Sequence, residues 1–412
     1  MSESPPGEAD PSPVAAGGHG TSGPLQILLI FLRLGCTSFG GPVAHLGYFR
    51  SEFVERRKWL TERSLADLVA LAQFLPGPAS SQTGFAIGLI RGGLAGGLAA
   101  WTGFTLPSAA LLVLFAYGAG AIADSPAGAG MLHGLKLAAV AIVAQAVIGM
   151  ARNLCPDRRR ASIATVAMIV MLLAPSSLFQ VGVIVAGGLA GWMLCRGESA
   201  RLAEGFPMPV TRRFATACLA LYFILLAIAF LPAHSGPWSL FDAFYRSGAL
   251  VFGGGHVVLP LLRNAVVAPG WVADNAFLAG YGAAQAVPGP LFTFAAYLGA
   301  VARIAPGGVA GAGIALLAIF VPGLLCLMGT LPFWHGLRAR PGAQAAMRGT
   351  NAAVVGLLAA ALYNPVWSSA VHGPTDLAVA AAMFVLLIAW RAPPLLVVVL
   401  AAAAGIGIAL AA

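Results

Sequence analysis

Four cationic side chains stand inside strongly apolar runs: Arg33, Lys136, Arg246 and Arg348. All 14 acidic residues fall in tails, loops or the ends of such runs, with Asp67 and Asp242 nearest to entering. A cation in a bilayer is expensive unless something anionic meets it. A proton or sodium pump needs a carboxylate in the membrane; here the buried charge has the opposite sign, and the transported species it suits is an anion. Arg33 and Arg246 lie only one to two turns inside their runs. Snorkelling to the interface, or pairing with backbone carbonyls, is the competing use of the same two charges.

Those arginines belong to one motif written twice. Residues 31–41 read FLRLGCTSFGG and residues 244–254 read FYRSGALVFGG, so Phe31, Arg33, Gly35 and Phe39 correspond to Phe244, Arg246, Gly248 and Phe252. Gly40-Gly41-Pro42 and Gly253-Gly254-Gly255 should each interrupt a helix, because glycine is entropically poor there and proline lacks a donor. A break exposes amide N–H groups, and the helix that restarts beyond it aims its positive end at the gap. His45 and His256 follow the breaks as possible proton carriers or as hydrogen-bonded structural groups. A second interruption is also repeated, Pro76-Gly77-Pro78 and Pro288-Gly289-Pro290, each preceded by a glutamine, Gln73 and Gln285. Ser80, Ser81 and Gln82 follow the first of these and Thr293 the second. Hydroxyls and N–H groups in such a setting can hold a tetrahedral oxyanion. Lys136 and Asn351 occupy matching places, so only one half offers a charge there.

The elements that must carry these groups are membrane helices. Of 412 residues 59% are apolar and 9% charged, with mean hydropathy +0.87. Apolar runs that are candidates to cross a bilayer recur at about 25–48, 64–90, 92–120, 131–151, 161–174, 177–195, 213–232, 240–262, 275–302, 306–334, 345–365, 374–390 and 393–411; of these 161–174 is short, and a shallow hairpin with 177–195, turning at Pro175-Ser176-Ser177, is its alternative. That predicts an all-α polytopic membrane protein of about 13 transmembrane helices, with breaks at GGP/GGG and PGP. The net charge of +9 reads as loop topology, not as nucleic-acid binding. Five scattered cysteines without a CxxC pair support neither a disulfide framework nor a zinc site. With no HExxH, Cys-His pairing or acidic cluster, a membrane enzyme has no constellation to work with, and no cofactor is expected.

Matches at offsets of 212–215 residues, among them Trp59/Trp271, Pro107/Pro322 and Gly134/Gly349, divide the chain into two homologous halves. The expected organisation is a disordered tail (1–23), a first repeat (24–200), a basic linker with one extra transmembrane helix (201–235) and a second repeat (236–412). Six crossings per half plus the extra one place the second half upside down, an inverted repeat. A re-entrant first span would make the repeats parallel instead. Thirteen loop arginines on one side against six basic residues on the other put the N-terminus in the cytoplasm and the C-terminus outside. Five of those six lie in RSEFVERRKWLTER (50–63), which reads as a short amphipathic helix on the membrane surface.

The doubled FxRxGxxxFGG with a nearby histidine and the doubled PGP resemble the chromate ion transporter family in its long, two-domain form, over nearly the whole chain after residue 24. The resemblance implies efflux of chromate from the bacterial cytoplasm across the inner membrane, giving chromate resistance. From the buried cations, the helix breaks and the polar groups beside them, the expected substrate-binding set is Arg33, Gly40, Gly41, His45, Gln73, Gly77, Ser80, Ser81, Lys136, Arg246, Gly253, Gly254, His256, Gln285, Gly289 and Thr293. The partners are chromate, with sulfate as a related oxyanion, and the lipid bilayer, with a homodimer as one arrangement and no nucleic acid. Transport of sulfate, or an anion channel of the same architecture, is the alternative. One departure stands out: Gly255 replaces Pro42, and His256 is shifted by two places against His45, so the two half-sites need not be equivalent.

Overall fold

A computed structural model describes residues 23–39, 41–122, 125–174, 177–195, 210–231, 236–252, 257–334, 336 and 340–411. The expected disordered tail, except Gly23, lies outside these residues. So do Gly40, Gly253, Gly254 and His256. Among the described residues the secondary structure is helical.

The first half comprises α1 (Pro24–Thr37), α2 (Gly41–Phe49), α3 (Glu62–Phe74), α4 (Ala79–Ile122), α5 (Pro126–Leu154), α6 (Arg158–Leu173) and α7 (Ser177–Leu194). The connector helix α8 (Arg212–Ala229) follows. The second half repeats the order with α9 (Pro237–Ala249), α10 (Val258–Leu262), α11 (Asp274–Ala286), α12 (Phe294–Val301), α13 (Gly308–Thr330), α14 (Pro341–Ala361), α15 (Pro374–Ile388) and α16 (Pro394–Ala411). The chain is thus an all-α, multi-pass membrane protein built from two repeats.

Local chemistry sets the helix starts. Thr61, Ser125, Asp157 and Thr211 accept a hydrogen bond from the backbone N–H three residues on, capping α3, α5, α6 and α8. Proline opens α1, α5, α9, α14 and α15, where its missing N–H costs nothing. The N–H and guanidinium of Arg160 together hold the Asp157 carboxyl below its usual range.

Several expected single spans are in fact pairs of short helices. The run 25–48 divides into α1 and α2, and 64–90 into α3 and the start of α4. Runs 240–262 and 275–302 divide likewise, into α9 with α10 and α11 with α12. A helix of 14 residues is about 21 Å long, short of the ~30 Å hydrocarbon core, so α1 cannot cross alone. Among the described residues six helices are long and apolar enough to cross. Of these α4 is itself folded back at Gly92-Gly93, where the helical dihedrals fail. Its two arms touch at Gly88 and Gly96, as α12 and α13 touch at Gly299 and Gly311.

The segment 50–63 is also not a free surface helix. Residues Arg50–Arg56 continue α2 as a π-helical turn, and Phe53 is fully buried against Phe31, with ring centroids 5.1 Å apart. Phe31 and Phe49 in turn pack on Phe104 of α4. The charges face away and pair among themselves. Arg50 bridges Glu62 at 2.6 Å; in the second half Arg263 bridges Asp274 at 3.1 Å, the same pair at equivalent positions.

The halves exchange their last helices. From the first repeat, α7 packs on α14 of the second; from the second, α16 packs on α5 of the first. Small residues permit the close approach in both seams, Gly187 and Gly191 against Gly349, and Ala401 and Gly405 against Gly130 and Gly134. A Cβ on Gly191 would lie 2.5 Å from the Ala345 carbonyl and the Gly349 Cα, whereas Gly149 faces open space. Gly191→Leu is therefore expected to lower stability in detergent by about 1–3 kcal/mol or more, read as a fall in thermal midpoint, with Gly149→Leu near neutral.

Candidate functional site

The broken ends meet at the centre of the molecule, each half engaging the other. Gly77 of the first PGP donates its N–H to the Val251 carbonyl just after α9, at 2.8 Å. Gly289 of the second PGP donates to the Ser38 carbonyl just after α1, at 2.9 Å. Both glycines have positive φ, +118° and +99°, the left-handed region that side chains disfavour. Each also lies against the long helix of the opposite half, Gly77 against Gly323 of α13 and Gly289 against Ser108 of α4. Pro107 and Pro322, matched in the sequence, stand one residue before those contacts.

Gln82 fastens the same junction. Its Nε2 donates at 2.9 Å to Pro76 O in its own half and at 2.9 Å to Gly323 O in the other. His45 is fully buried and bonded at both ring nitrogens, Nε2 to Ser38 O at 3.1 Å and Nδ1 to Ser80 Oγ at 3.3 Å. A carbonyl can only accept, so Nε2 carries the proton, and a neutral Nδ1 accepts from the Ser80 hydroxyl. His45 thus joins the end of α1, the first turns of α2 and the N-terminus of α4, with its ring edge-on to Phe104 at 5.2 Å. Two helix N-termini, those of α2 and α4, converge here with their positive ends.

Around this junction Ser38, Ser80, Ser81, Gln82, Thr83, Thr105 and Ser108 are all buried. Four of their polar atoms have no partner: the hydroxyls of Ser38, Ser81 and Thr105, and Gln82 Oε1. Unpaired buried hydroxyls cost about 1–3 kcal/mol each, so each of the three calls for water or a ligand to answer it.

The second half is not an equal copy. Phe292 and Phe294 stand where the first half has Ser80 and Gln82, and the Thr293 hydroxyl is already spent on Pro290 O at 2.7 Å. Gln285 is half-buried with its Nε2 unpartnered.

Other expected residues lie apart. Arg33 sits on the exposed face of α1, opposite Ile27, Ile30, Phe31 and Leu34, and Gln73 is exposed at the end of α3. Neither side chain is brought to the junction, because the helical register turns the Phe31 face inward. Lys136 donates to Asn275 Oδ1 at 3.1 Å and lines a cavity of about 500 Å³ with His133 and Tyr297. Arg246 lines a second cavity, about 550 Å³, between α7, the end of α8, α9 and α10. Arg348, the fourth cation, donates to the Cys195 carbonyl at 3.0 Å and ties α14 to the end of α7.

Sequence reading missed Ser38, Thr105, Ser108 and Gly323. The last two follow the matched prolines directly, a signal that was present; Ser38 and Thr105 carry no repeat signature.

Comparison with known proteins agrees with this plan. The chain is 29% identical over 388 residues to a chromate transport protein of Pseudomonas aeruginosa, covering 92% of this chain and 90% of that protein. It is 26% identical over 363 residues to one of Cupriavidus metallidurans, 85% of each chain, and 26% identical over 395 residues to a probable chromate transport protein of Synechococcus elongatus, 92% and 94%. No solved structure matches. The sequence model described as Chromate transporter matches residues 25–192 and 238–406, one segment in each half. With both segments matched, the chain belongs to the chromate transporter family.

Proposed function

We propose that the protein carries chromate out of the bacterial cytoplasm across the inner membrane, and that the anion passes through the junction of broken helices. The observation behind this reading is the set of unpartnered buried hydroxyls, Ser38, Ser81 and Thr105, where the N-termini of α2 and α4 meet. A tetrahedral dianion offers oxygens to those O–H groups and to helix N–H groups. Neutral donors can hold it without the salt bridge that would make release slow.

The site is assigned to the first half, with Ser80 and His45 positioning the junction, Ser81 offering its hydroxyl to the anion, and Gly77 and Gly289 closing the junction from either side. Arg33 and Gln73 take no direct part. The two repeats are inverted, with the N-terminus cytoplasmic and the C-terminus periplasmic. Outward movement of a dianion from a negative interior is favoured by about 2.3 kcal/mol per charge per 100 mV, so the membrane potential alone is a sufficient drive.

Cells bearing the protein should accumulate less chromate than cells without it. Collapsing the potential should abolish the difference, while collapsing the proton gradient alone should not. Uptake of labelled sulfate into inverted vesicles separates the alternative: flux of sulfate in preference to chromate would reject the chromate assignment. Ser81→Ala should slow chromate flux about tenfold, the effect of losing one hydrogen bond of about 1.4 kcal/mol.

A further inference from the structure

The connector helix α8 has no counterpart before α1 among the described residues, and the two arginines of the repeated motif differ accordingly. Arg33 stands exposed. Arg246 is half-buried: its guanidinium lies over the ring of Phe230 at the end of α8, 5.7 Å from the centroid, and Gln180 of α7 lines the same cavity. The result is the cavity of about 550 Å³, to which Arg246, Ser247, Asn264 and Trp271 of the second half and Gln180 of the first all contribute.

Gln180 decides what this cavity is for. Its side chain is 1% exposed. Its Oε1 accepts from Asn264 Nδ2 at 2.8 Å, and its Nε2, buried at the wall of the cavity, has no partner. A buried amide donor left unpaired costs about as much as a lost hydrogen bond. Arg246 lies in the last turn of α9, where a cation also offsets the helix dipole. That role needs no cavity and leaves Gln180 Nε2 unanswered. Ser247 adds nothing to the count, since its hydroxyl is spent on Ala243 O. Asp242, one turn back on α9, is a carboxylate whose charge acts on Arg246.

We propose that the cavity framed by Arg246 and Gln180 is a second oxyanion site, distinct from the junction and placed beside the break of the second half, where an inorganic tetrahedral dianion is held before or after it passes the junction. This deepens the transport reading and rests on it for the direction of passage, though not for binding itself. A guanidinium and an unpaired amide donor on residues lining one cavity, with an aromatic wall, suit an anion better than a cation. Because Arg33 has no such chamber, the site exists once per chain. The protein is therefore asymmetric along its path although its halves are related.

The test is equilibrium binding of chromate, and separately of labelled sulfate, to the purified full-length protein in nanodiscs. Two sites per chain are expected for the unaltered protein. Gln180→Met keeps the side-chain length and removes the donor; it should weaken one site about tenfold and leave the other. Arg246→Gln should do the same more strongly, and Ser81→Ala should affect the other site alone. Chromate absorbs near the emission of tryptophan, so quenching of Trp271 should weaken in parallel with the first site, and Trp271→Phe should remove that part of the signal. A single site in the unaltered protein would overturn the proposal, as would two sites unmoved by both Gln180→Met and Arg246→Gln. Chromate flux in proteoliposomes keeps the two readings apart. Flux with a single site sinks this one and leaves transport standing; two sites without flux does the reverse.

Discussion

Gly77→Ala should reduce chromate flux by tenfold or more while leaving the protein in the membrane. The residue has φ +118°, and a Cβ there would come 3.0 Å from the Gly323 Cα, a backbone atom that cannot swing aside. An L side chain in this region costs about 1–2 kcal/mol before any clash is counted. The cheapest relief is to rotate the peptide, and that takes the Gly77 N–H off the Val251 carbonyl and opens the junction. Gly289→Ala should behave alike, since φ is +99° and the new methyl would lie 2.9 Å from Ser108 Oγ. Gly270 supplies the control: φ is +79° but nothing lies within 4 Å. If Gly270→Ala were as damaging as Gly77→Ala, backbone strain alone would be responsible and the interlocking of the halves would carry no weight. Flux in vesicles with matched protein amounts makes the comparison.

Gln82→Leu should cause the largest loss of stability of any single substitution at the junction, about 2–4 kcal/mol. It deletes two buried hydrogen bonds at once and strips the donor from Pro76 O, which no helix supplies. Gln82→Glu should be at least as harmful, because a carboxylate would face two carbonyls with no proton to give. The measurement is the thermal midpoint in detergent. A shift within error of zero for Gln82→Leu would show that the long-range bond to Gly323 does not hold the halves together.

Much of this plan was legible in the chain. The repeated FxRxGxxxFGG and PGP gave both breaks and the twofold relation, because proline and positive-φ glycine act through backbone rules that need no tertiary context. The motif phenylalanine Phe31 was visible, though its work turned out to be packing against Phe49, Phe53 and Phe104. Hidden was the fate of Arg33. A periodicity argument gives the apolar face of a 14-residue helix only weakly when the remaining face is also apolar, as in a bilayer, so the outward turn of the arginine left no mark. Span counting failed for a related reason. Hydropathy averages over a break, and 64–90 reads as one crossing although Pro76-Gly77-Pro78 divides it. The unpaired hydroxyls of Ser38 and Thr105 depend on contacts between segments more than 60 residues apart, and no local rule reaches that far.

The exchange of end helices bears on how the chain is made. When α7 leaves the ribosome its glycine face has nothing to rest on, since α14 has yet to be synthesised, and the matching face of α5 waits for α16. The first repeat therefore stays incomplete in the lipid until α14 and α16 have been made. The 18 residues of α16 then act as the latch that completes the earlier half.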